Sequence, residues 1–133
     1  MYCLRKLKSF DVNANILNTF YSSMINSVLT FGLTSWGGNI SKIDKNRLDK
    51  LIKKASCTIG KPQENIDTLY NTSLTKKTHK ILIDQSHPLH NDFVKSKSQR
   101  SGRFKLPKIK TNRFRHSFFP QALKRYNVAL NRN

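Results

Sequence analysis

The chain has 133 residues, with 25 lysines and arginines against seven aspartates and glutamates, and a formal charge of +18. This length accommodates one domain, or a small helical core with a tail, and excludes a large catalytic fold. So large an excess of positive charge favours a polyanionic partner, with nucleic acid considered first and an anionic membrane surface second.

Several classes of protein are excluded by local sequence. The N-terminal residues lack the apolar region and the cleavage site of a signal peptide. The most apolar stretch, from Ile16 to Trp36, is interrupted by polar residues and is not a membrane span. The two cysteines, Cys3 and Cys57, form neither a disulfide scaffold nor a C-x-x-C zinc motif. We therefore expect an intracellular, soluble protein without a cofactor or a membrane partner.

The first predicted helix is the most apolar part of the chain. Its apolar side chains recur in adjacent pairs every four residues: Ile16, Leu17, Phe20, Tyr21, Met24, Ile25, Val28 and Leu29. This period is typical of a helix, and the apolar face is too broad for a helix exposed on a surface. Asp11 is the expected N-cap, and Gly32 followed by Gly37-Gly38 is expected to end the helix.

A second helix is predicted to begin at Ser41, because Ser41-x-x-Asp44 has the form of a capping box. Gly60 and Pro62 mark its C-terminal end. Five apolar side chains are expected to share one arc of this helix: Leu48, Leu51, Ile52, Ala55 and Ile59. Asp49 is interpreted as an i,i+4 partner of Lys45 or Lys53.

Two shorter helical runs are predicted next, at about 66–70 and 74–83, and after them the composition changes. Residues 1–92 hold all seven acidic residues and 13 basic residues, whereas residues 93–133 hold 12 basic residues and no acidic one. We predict a helical domain over 1–92 and a basic tail with interleaved aromatic residues over 93–133. The tail should have little regular structure before Ser117 and one or two helical turns from Pro120 to Tyr126.

The tail pairs phosphate-binding cations with flat rings that can stack on bases. The candidate cations are Arg103, Lys105, Arg113 and Arg115, and the candidate rings, either for base stacking or for docking onto the core, are Phe104, Phe114, Phe118 and Phe119. An alternative role for Phe118, Phe119 and Leu123 is docking onto the helical core, and this does not exclude phosphate contacts by the cations. A further cationic strip, Arg47, Lys50 and Lys54, lies on one face of the second helix, where a purely solvated face is the alternative.

No enzyme signature is found. The phosphate-binding loop, the nucleophile elbow and the dinucleotide fingerprint are all missing, and the seven carboxylates are scattered singly. His90-Asn91-Asp92 with His116 imitates the facial triad of iron dioxygenases, but that chemistry needs a β-jelly-roll, which this sequence does not predict. We expect no catalytic residue and no metal site.

The order of several segments resembles a known family. LRKLKSFDVNANILNTFYSSMINSVLTFGLTSWGGN (4–39) is followed by DKNRLDKLIKKASCTIG (44–60), IDTLY (66–70), DQSHPLHNDF (84–93), SGRFKLPKIKTNRFRHSFFP (101–120) and QALKRYN (121–127). Together they resemble the region after the polymerase core in reverse transcriptases of non-LTR (LINE-type) retrotransposons. A weaker similarity is to the N-terminal segment of an AlkB-type dioxygenase/tRNA methyltransferase homologue, whose catalytic centre has no counterpart here.

The resemblance implies a thumb-like and C-terminal piece of such an enzyme, beginning at a fortuitous Met1 and separated from its polymerase palm. That region grips a primer–template duplex and contacts RNA or target DNA. Carried over to this chain, the role falls on Arg47, Lys50 and Lys54, and on the four tail cations. Nuclear action is implied by the family.

The sequence therefore predicts a mainly α-helical protein, a small bundle of three to five helices with a basic, partly extended C-terminal tail. Its predicted function is non-catalytic binding of RNA or an RNA–DNA duplex with low sequence specificity. Two alternatives remain. One is an orphan fragment that serves only as a protein-interaction segment, with Tyr21, Phe31 and Trp36 as contact residues, or that has no selected function. The other is a segment associated with an iron-dependent dioxygenase or a methyltransferase.

Overall fold

The computed structural model describes residues 1–93 and 102–130, the side chains of 129 and 130 excepted, so the predicted tail lies partly outside the described residues. Within this part of the chain the structure is mainly α-helical and contains no β-strand, as predicted. Two compact units form, one from residues 1–33 and 40–70 and the other from 34–39 and 71–133. The predicted division after residue 92 is compositional, and it stays a prediction.

The first unit begins with a helix that the sequence analysis missed, α1 (Tyr2–Ser9). Asp11 follows α1 with a φ of 58°. The N–H of Asp11 donates to the Lys8 carbonyl, and the N–H of Val12 donates to the Leu7 carbonyl. This is a Schellman ending with aspartate in the position that glycine usually occupies. Asp11 therefore ends α1, and its predicted role as the N-cap of the next helix is wrong.

The next helical run extends from α2 (Ala14–Phe20) through a π-helical turn (Tyr21–Asn26) to α3 (Ser27–Thr30). Asn13 is its N-cap, since Asn13 Oδ1 accepts a hydrogen bond from the N–H of Asn15 at 2.8 Å. Hydroxyl groups then donate to carbonyls four residues earlier, Thr19 to Asn15 at 3.0 Å and Ser23 to Thr19 at 2.9 Å. Such bonds compete with the helical ladder, and the π turn lies in this segment.

The run ends where it was predicted to end, since Phe31 leaves the helical conformation and Gly32 has a φ of 60°. A short helix, α4 (Leu33–Trp36), and a 3₁₀ turn (Gly37–Asn39) follow.

Helix α5 (Lys42–Ile59) has the predicted boundaries. Ser41 Oγ accepts a hydrogen bond from the N–H of Asp44 at 3.1 Å, and Gly60 closes the helix with a φ of 79°. Ile52, Ala55 and Ile59 are buried and Leu48 is partly buried, as expected for the apolar arc. Leu51, at the edge of that arc, is 42% exposed instead.

Helix α6 (Ile66–Ile83) replaces the two shorter runs that were predicted. The residues between those runs, 71–73, are modest helix formers, but none is glycine or proline, so nothing interrupts the helix. Asp49 Oδ1 accepts a hydrogen bond from the N–H of Ile66 at 2.9 Å, and Lys45 forms an ion pair with Asp67. Asp49 therefore caps α6, and its interpretation as a partner of Lys45 or Lys53 is wrong.

Two apolar clusters stabilise the first unit. The larger one joins α1, α2, the π turn and α5 through Leu4, Leu17, Tyr21, Ala55 and Ile59. The smaller one joins Leu33, Ile52 and Ile66, against which the side chains of Leu29, Leu48, Leu69 and Tyr70 pack. Burial of these side chains is the main favourable term for folding.

In the second unit α6 buries Leu74, Thr78 and Ile81. A 3₁₀ turn (His90–Asp92), an irregular segment over 102–111, α7 (Asn112–Arg115) and α8 (Phe118–Leu130) complete its described part. Helix α8 is longer than the one or two turns predicted from Pro120. The segment before Ser117 has no regular helix over 102–111, as predicted, but it then forms the single helical turn α7, which was not predicted.

Candidate nucleic-acid interface

The segment Arg103-Phe104-Lys105 is held to helix α8 by one amide side chain. The N–H of Phe104 donates to Asn127 Oδ1 at 2.8 Å, and Asn127 Nδ2 donates to the Phe104 carbonyl at 3.0 Å. Both main-chain groups of Phe104 are therefore satisfied by a single partner, which fixes the segment against the helix.

An aromatic cluster also fixes this segment, through the side chain of Phe104. Phe104 is only 6% exposed, and its ring lies 5.6 Å from the Phe93 ring and 5.0 Å from the Tyr126 ring. Phe93 also meets Phe119 edge-on at 5.3 Å. These are favourable geometries for aromatic pairs. Phe104 is therefore packed in the core of its unit, which corresponds to the docking role of the two predicted for this ring.

Arg103 and Lys105, on either side of this buried ring, are both exposed. Helix α8 carries two further exposed cations, Lys124 and Arg125, three and two residues before the Asn127 clamp. The clamp consequently places the Arg103–Lys105 segment beside the part of α8 that carries this additional positive charge. Arg103 and Lys105 were predicted from the sequence as binding residues, whereas Lys124 and Arg125 were missed.

The other predicted aromatic residues differ in their surroundings. The Phe118 ring lies under the ammonium group of Lys77, at 4.7 Å, Phe119 meets Phe93, and Leu123 is completely buried, so these three side chains pack within the second unit. Phe114 is 37% exposed. Of the four predicted rings, Phe114 presents the most surface to a base.

Arg113 and Arg115 lie on the short helix α7 and are exposed. Thr111 Oγ1 accepts a hydrogen bond from the N–H of Phe114 at 3.2 Å and so caps this helix. Gln121 Nε2 donates to the Arg115 carbonyl at 2.8 Å, which connects the end of α7 to α8. The two guanidinium groups are thus carried by a segment with a defined backbone.

The strip Arg47, Lys50 and Lys54 belongs to the first unit, on the exposed side of α5. Arg47 Nη1 lies 3.1 Å from Asp44 Oδ1, and Asp44 also accepts a hydrogen bond from Ser41 Oγ at 2.7 Å. Part of the positive charge of Arg47 is therefore neutralised by Asp44 in the first turn of the same helix, which leaves Lys50 and Lys54 as the stronger phosphate-binding candidates of this strip.

The residues named for the two alternative functions are placed as follows. Tyr21 is buried in the larger apolar cluster, where desolvation raises the pKa of its phenol, and it is not a surface contact residue. Phe31 is 84% exposed.

His90, named for the iron site, has its Nδ1 2.9 Å from the Ile81 carbonyl. Over the described residues no group of three or more His, Cys, Asp or Glu side chains could hold a metal ion.

Asp84, directly after α6, accepts two hydrogen bonds from Ser86, one from Oγ at 2.6 Å and one from the N–H at 3.0 Å. These bonds, with the hydroxyl contributing most, lower the pKa of the Asp84 carboxyl. A lowered pKa stabilises the folded state above the unfolded pKa, and the stabilisation is lost as the pH falls through the folded pKa.

Replacing Ser86 by alanine removes the hydroxyl bond and retains the backbone bond. We expect the pKa of Asp84 to rise in S86A toward the ordinary value of about 3.9. Carboxyl ¹³C NMR titration measures this directly, and S9A, which removes a hydroxyl bonded only to the Lys6 carbonyl, is the control. An unchanged Asp84 titration in S86A would refute the assigned cause.

Over the described residues no helix is both long and apolar enough to cross a membrane. Comparison with known proteins returned no matching family model, no matching curated protein and no matching solved structure. The function of this chain therefore has to be argued from its own residues.

Proposed function

We propose that this chain binds nucleic acid through contacts with phosphate groups and with low sequence specificity, without catalysing a reaction. The observation that carries the proposal is the charge on the second unit. Its described residues include eleven lysines and arginines, all exposed, against two aspartates. Charge of one sign on a surface attracts polyanions, and phosphates supply most of the affinity in non-specific binding.

The chemistry of the Arg103–Lys105 segment supports RNA or another strand with accessible phosphates. Its backbone is held by Asn127 and its central ring is buried, so the two flanking cations are pre-positioned. Pre-positioning lowers the entropy cost of binding. Because Phe104 is buried, base stacking contributes less than the sequence predicted, which favours contacts with the backbone over contacts with bases.

We also propose that the chain derives from the C-terminal region of a non-LTR retrotransposon reverse transcriptase. The support for this origin is the order of the segments between residues 4 and 127. In such a parent protein a polymerase palm would be the partner of the first unit, and the nucleus would be the site of action.

The double variant R103Q/K105Q tests the phosphate contacts. Each phosphate contact to a single strand contributes about 0.7 to the slope of log Kd against log salt, so loss of two contacts should lower the slope by about 1.4. Fluorescence anisotropy with a labelled single-stranded RNA over a salt series gives this slope for the full chain.

The matched control is K6Q/K8Q, which removes the same charge from α1 in the first unit. We expect the slope of this control to stay within about 0.3 of the slope of the unmodified chain, well below the effect of one contact. Equal slopes for the two double variants would show that net charge alone determines binding, and would contradict the assignment of the site to Arg103 and Lys105.

A further inference from the structure

An open groove of about 640 Å³ lies on the surface of α6, in the part of that helix that belongs to the second unit. Its described lining consists of Ser73, Thr75, Lys76, Lys77, His79 and Lys80. None of the residues that line the groove was predicted from the sequence as a binding residue. Its described lining contains three ammonium groups and no carboxylate.

The lining side chains differ in what they offer to a ligand. Lys76 and Lys80 are one helical turn apart, about 6 Å along the axis, so their ammonium groups face the groove at successive levels. Lys77 is also engaged inside the unit, since its Nζ lies over Phe118 and is 3.5 Å from Thr34 Oγ1. The Thr75 hydroxyl donates its hydrogen bond to the Asn71 carbonyl at 2.9 Å, so it cannot also donate to a ligand.

The ammonium groups of Lys76 and Lys80 therefore favour an anion that carries two charged groups, one after the other along its length. Lysine binds phosphate as a point charge on a flexible stem and does not require a fixed fork geometry. The described lining has no Phe, Tyr or Trp side chain, and the imidazole of His79 is its only ring, so it offers little surface on which a base or another flat organic group could stack. A ligand that presents phosphates in a row at the surface fits this chemistry better than a small organic molecule that needs enclosure.

We propose that the Lys76–Lys80 groove is a second phosphate site, which takes successive phosphates of the nucleic-acid strand. This inference rests on the proposed function and adds a site to it. Lys76 and Lys80 are the principal contacts, and Lys77 supports them from its position over Phe118. Nucleic acid is favoured over a free polyphosphate because the same unit exposes eight further cations over residues 103–125, along which a longer polyanion can extend.

Lysine acetylation of the full chain, read by mass spectrometry, tests the site. With a uridine oligonucleotide at about ten times its Kd, roughly one molecule in eleven is unbound, so the reactivity of Lys76 and Lys80 should fall about tenfold. Lys6 and Lys8 on α1 report general changes in reactivity and should be acetylated at nearly the same rate with and without RNA.

Three other outcomes overturn the inference in distinguishable ways. If RNA binds but Lys76 and Lys80 remain as reactive as Lys6 and Lys8, this groove is not a contact and the proposed function stands. If RNA does not bind, the proposed function fails and the inference fails with it. If inorganic tripolyphosphate protects the two lysines and RNA does not, the groove takes a free polyphosphate instead.

The double variant K76Q/K80Q gives an independent readout that does not depend on chemical modification. Loss of two single-strand contacts should lower the salt slope by about 1.4, as for R103Q/K105Q, while K6Q/K8Q should leave it nearly unchanged. Exposed lysines contribute little to folding, so this variant should retain the circular dichroism spectrum of the unmodified chain. An unchanged slope in K76Q/K80Q would contradict the site.

Discussion

Replacing Leu17 by alanine is expected to lower the free energy of unfolding by about 2–5 kcal/mol. Leu17 is completely buried in the larger apolar cluster of the first unit, among Leu4, Ala55 and Ile59 from two other helices. Truncation loses the transfer free energy of its methyl and methylene groups and leaves a cavity that the surrounding helices fill only in part. Guanidinium denaturation followed by circular dichroism measures the loss.

The adjacent residue provides a matched control. Ile16 lies on the same helix and is 60% exposed, so I16A removes a similar number of carbon atoms without opening a cavity. We expect I16A to change the free energy of unfolding by at most about 0.5 kcal/mol. If L17A and I16A were destabilised equally, the larger apolar cluster would not be the core of this unit.

Replacing Asn127 by alanine should destabilise the second unit and weaken its binding of RNA. The change leaves the N–H and the carbonyl of Phe104 without their partner, in a partly buried position. An unsatisfied buried group costs about 1–3 kcal/mol, and we expect N127A to lose about that much stability. N91A, which removes an exposed amide from the same unit, should change stability by at most about 0.5 kcal/mol.

N127A also distinguishes the effect of preorganisation on RNA affinity from the effect of charge. N127A retains every cation, yet it releases the backbone that places Arg103 and Lys105. Immobilising a long side chain on binding costs about 0.5–1.5 kcal/mol, so RNA affinity should fall about two- to tenfold in N127A. N91A should bind like the unmodified chain. Unchanged affinity in a destabilised N127A would show that the clamp serves folding alone.

Helix α5 shows what sequence reasoning predicts well. Its capping box at Ser41 and its terminal Gly60 are local signals, because the hydrogen bond of the cap and the left-handed glycine depend only on residues nearby in the chain. The mainly α-helical class likewise follows from the helical period of the apolar residues. These features need no knowledge of the tertiary structure.

The errors occur where a tertiary contact or a competing local signal decides. Asp49 was assigned to a lysine on its own helix, whereas it caps α6, seventeen residues later. Asp11 is a residue type that is typical of N-caps. It instead takes the left-handed position in the Schellman ending of α1, and Asn13 is the N-cap of the next helix. A rule based on neighbouring residues cannot detect the contact of Asp49 with Ile66, and the role of Asp11 follows only once α1 has been recognised.

For the candidate interface, the sequence predicted the cations and left the role of the rings open. Alternation of Arg, Phe and Lys at 103–105 fits both base stacking and core docking, and the Asn127 clamp selects docking. The groove lysines of α6 were missed because they lie within residues 1–92, where basic and acidic residues are closer to balance. Burial of the opposite side of α6, at Leu74, Thr78 and Ile81, is the signal that identifies their exposed face.

The most direct test of the central claim is the salt dependence of RNA binding by the full, unmodified chain. If Arg103, Lys105, Arg113 and Arg115 each contact one phosphate, the slope of log Kd against log salt is at least about 2.8, and affinity falls at least about fiftyfold between about 50 and 200 mM salt. RNAs of different sequence should give similar curves. Binding that does not change with salt, or no binding at about 50 mM salt, would contradict the claim that this chain binds phosphates.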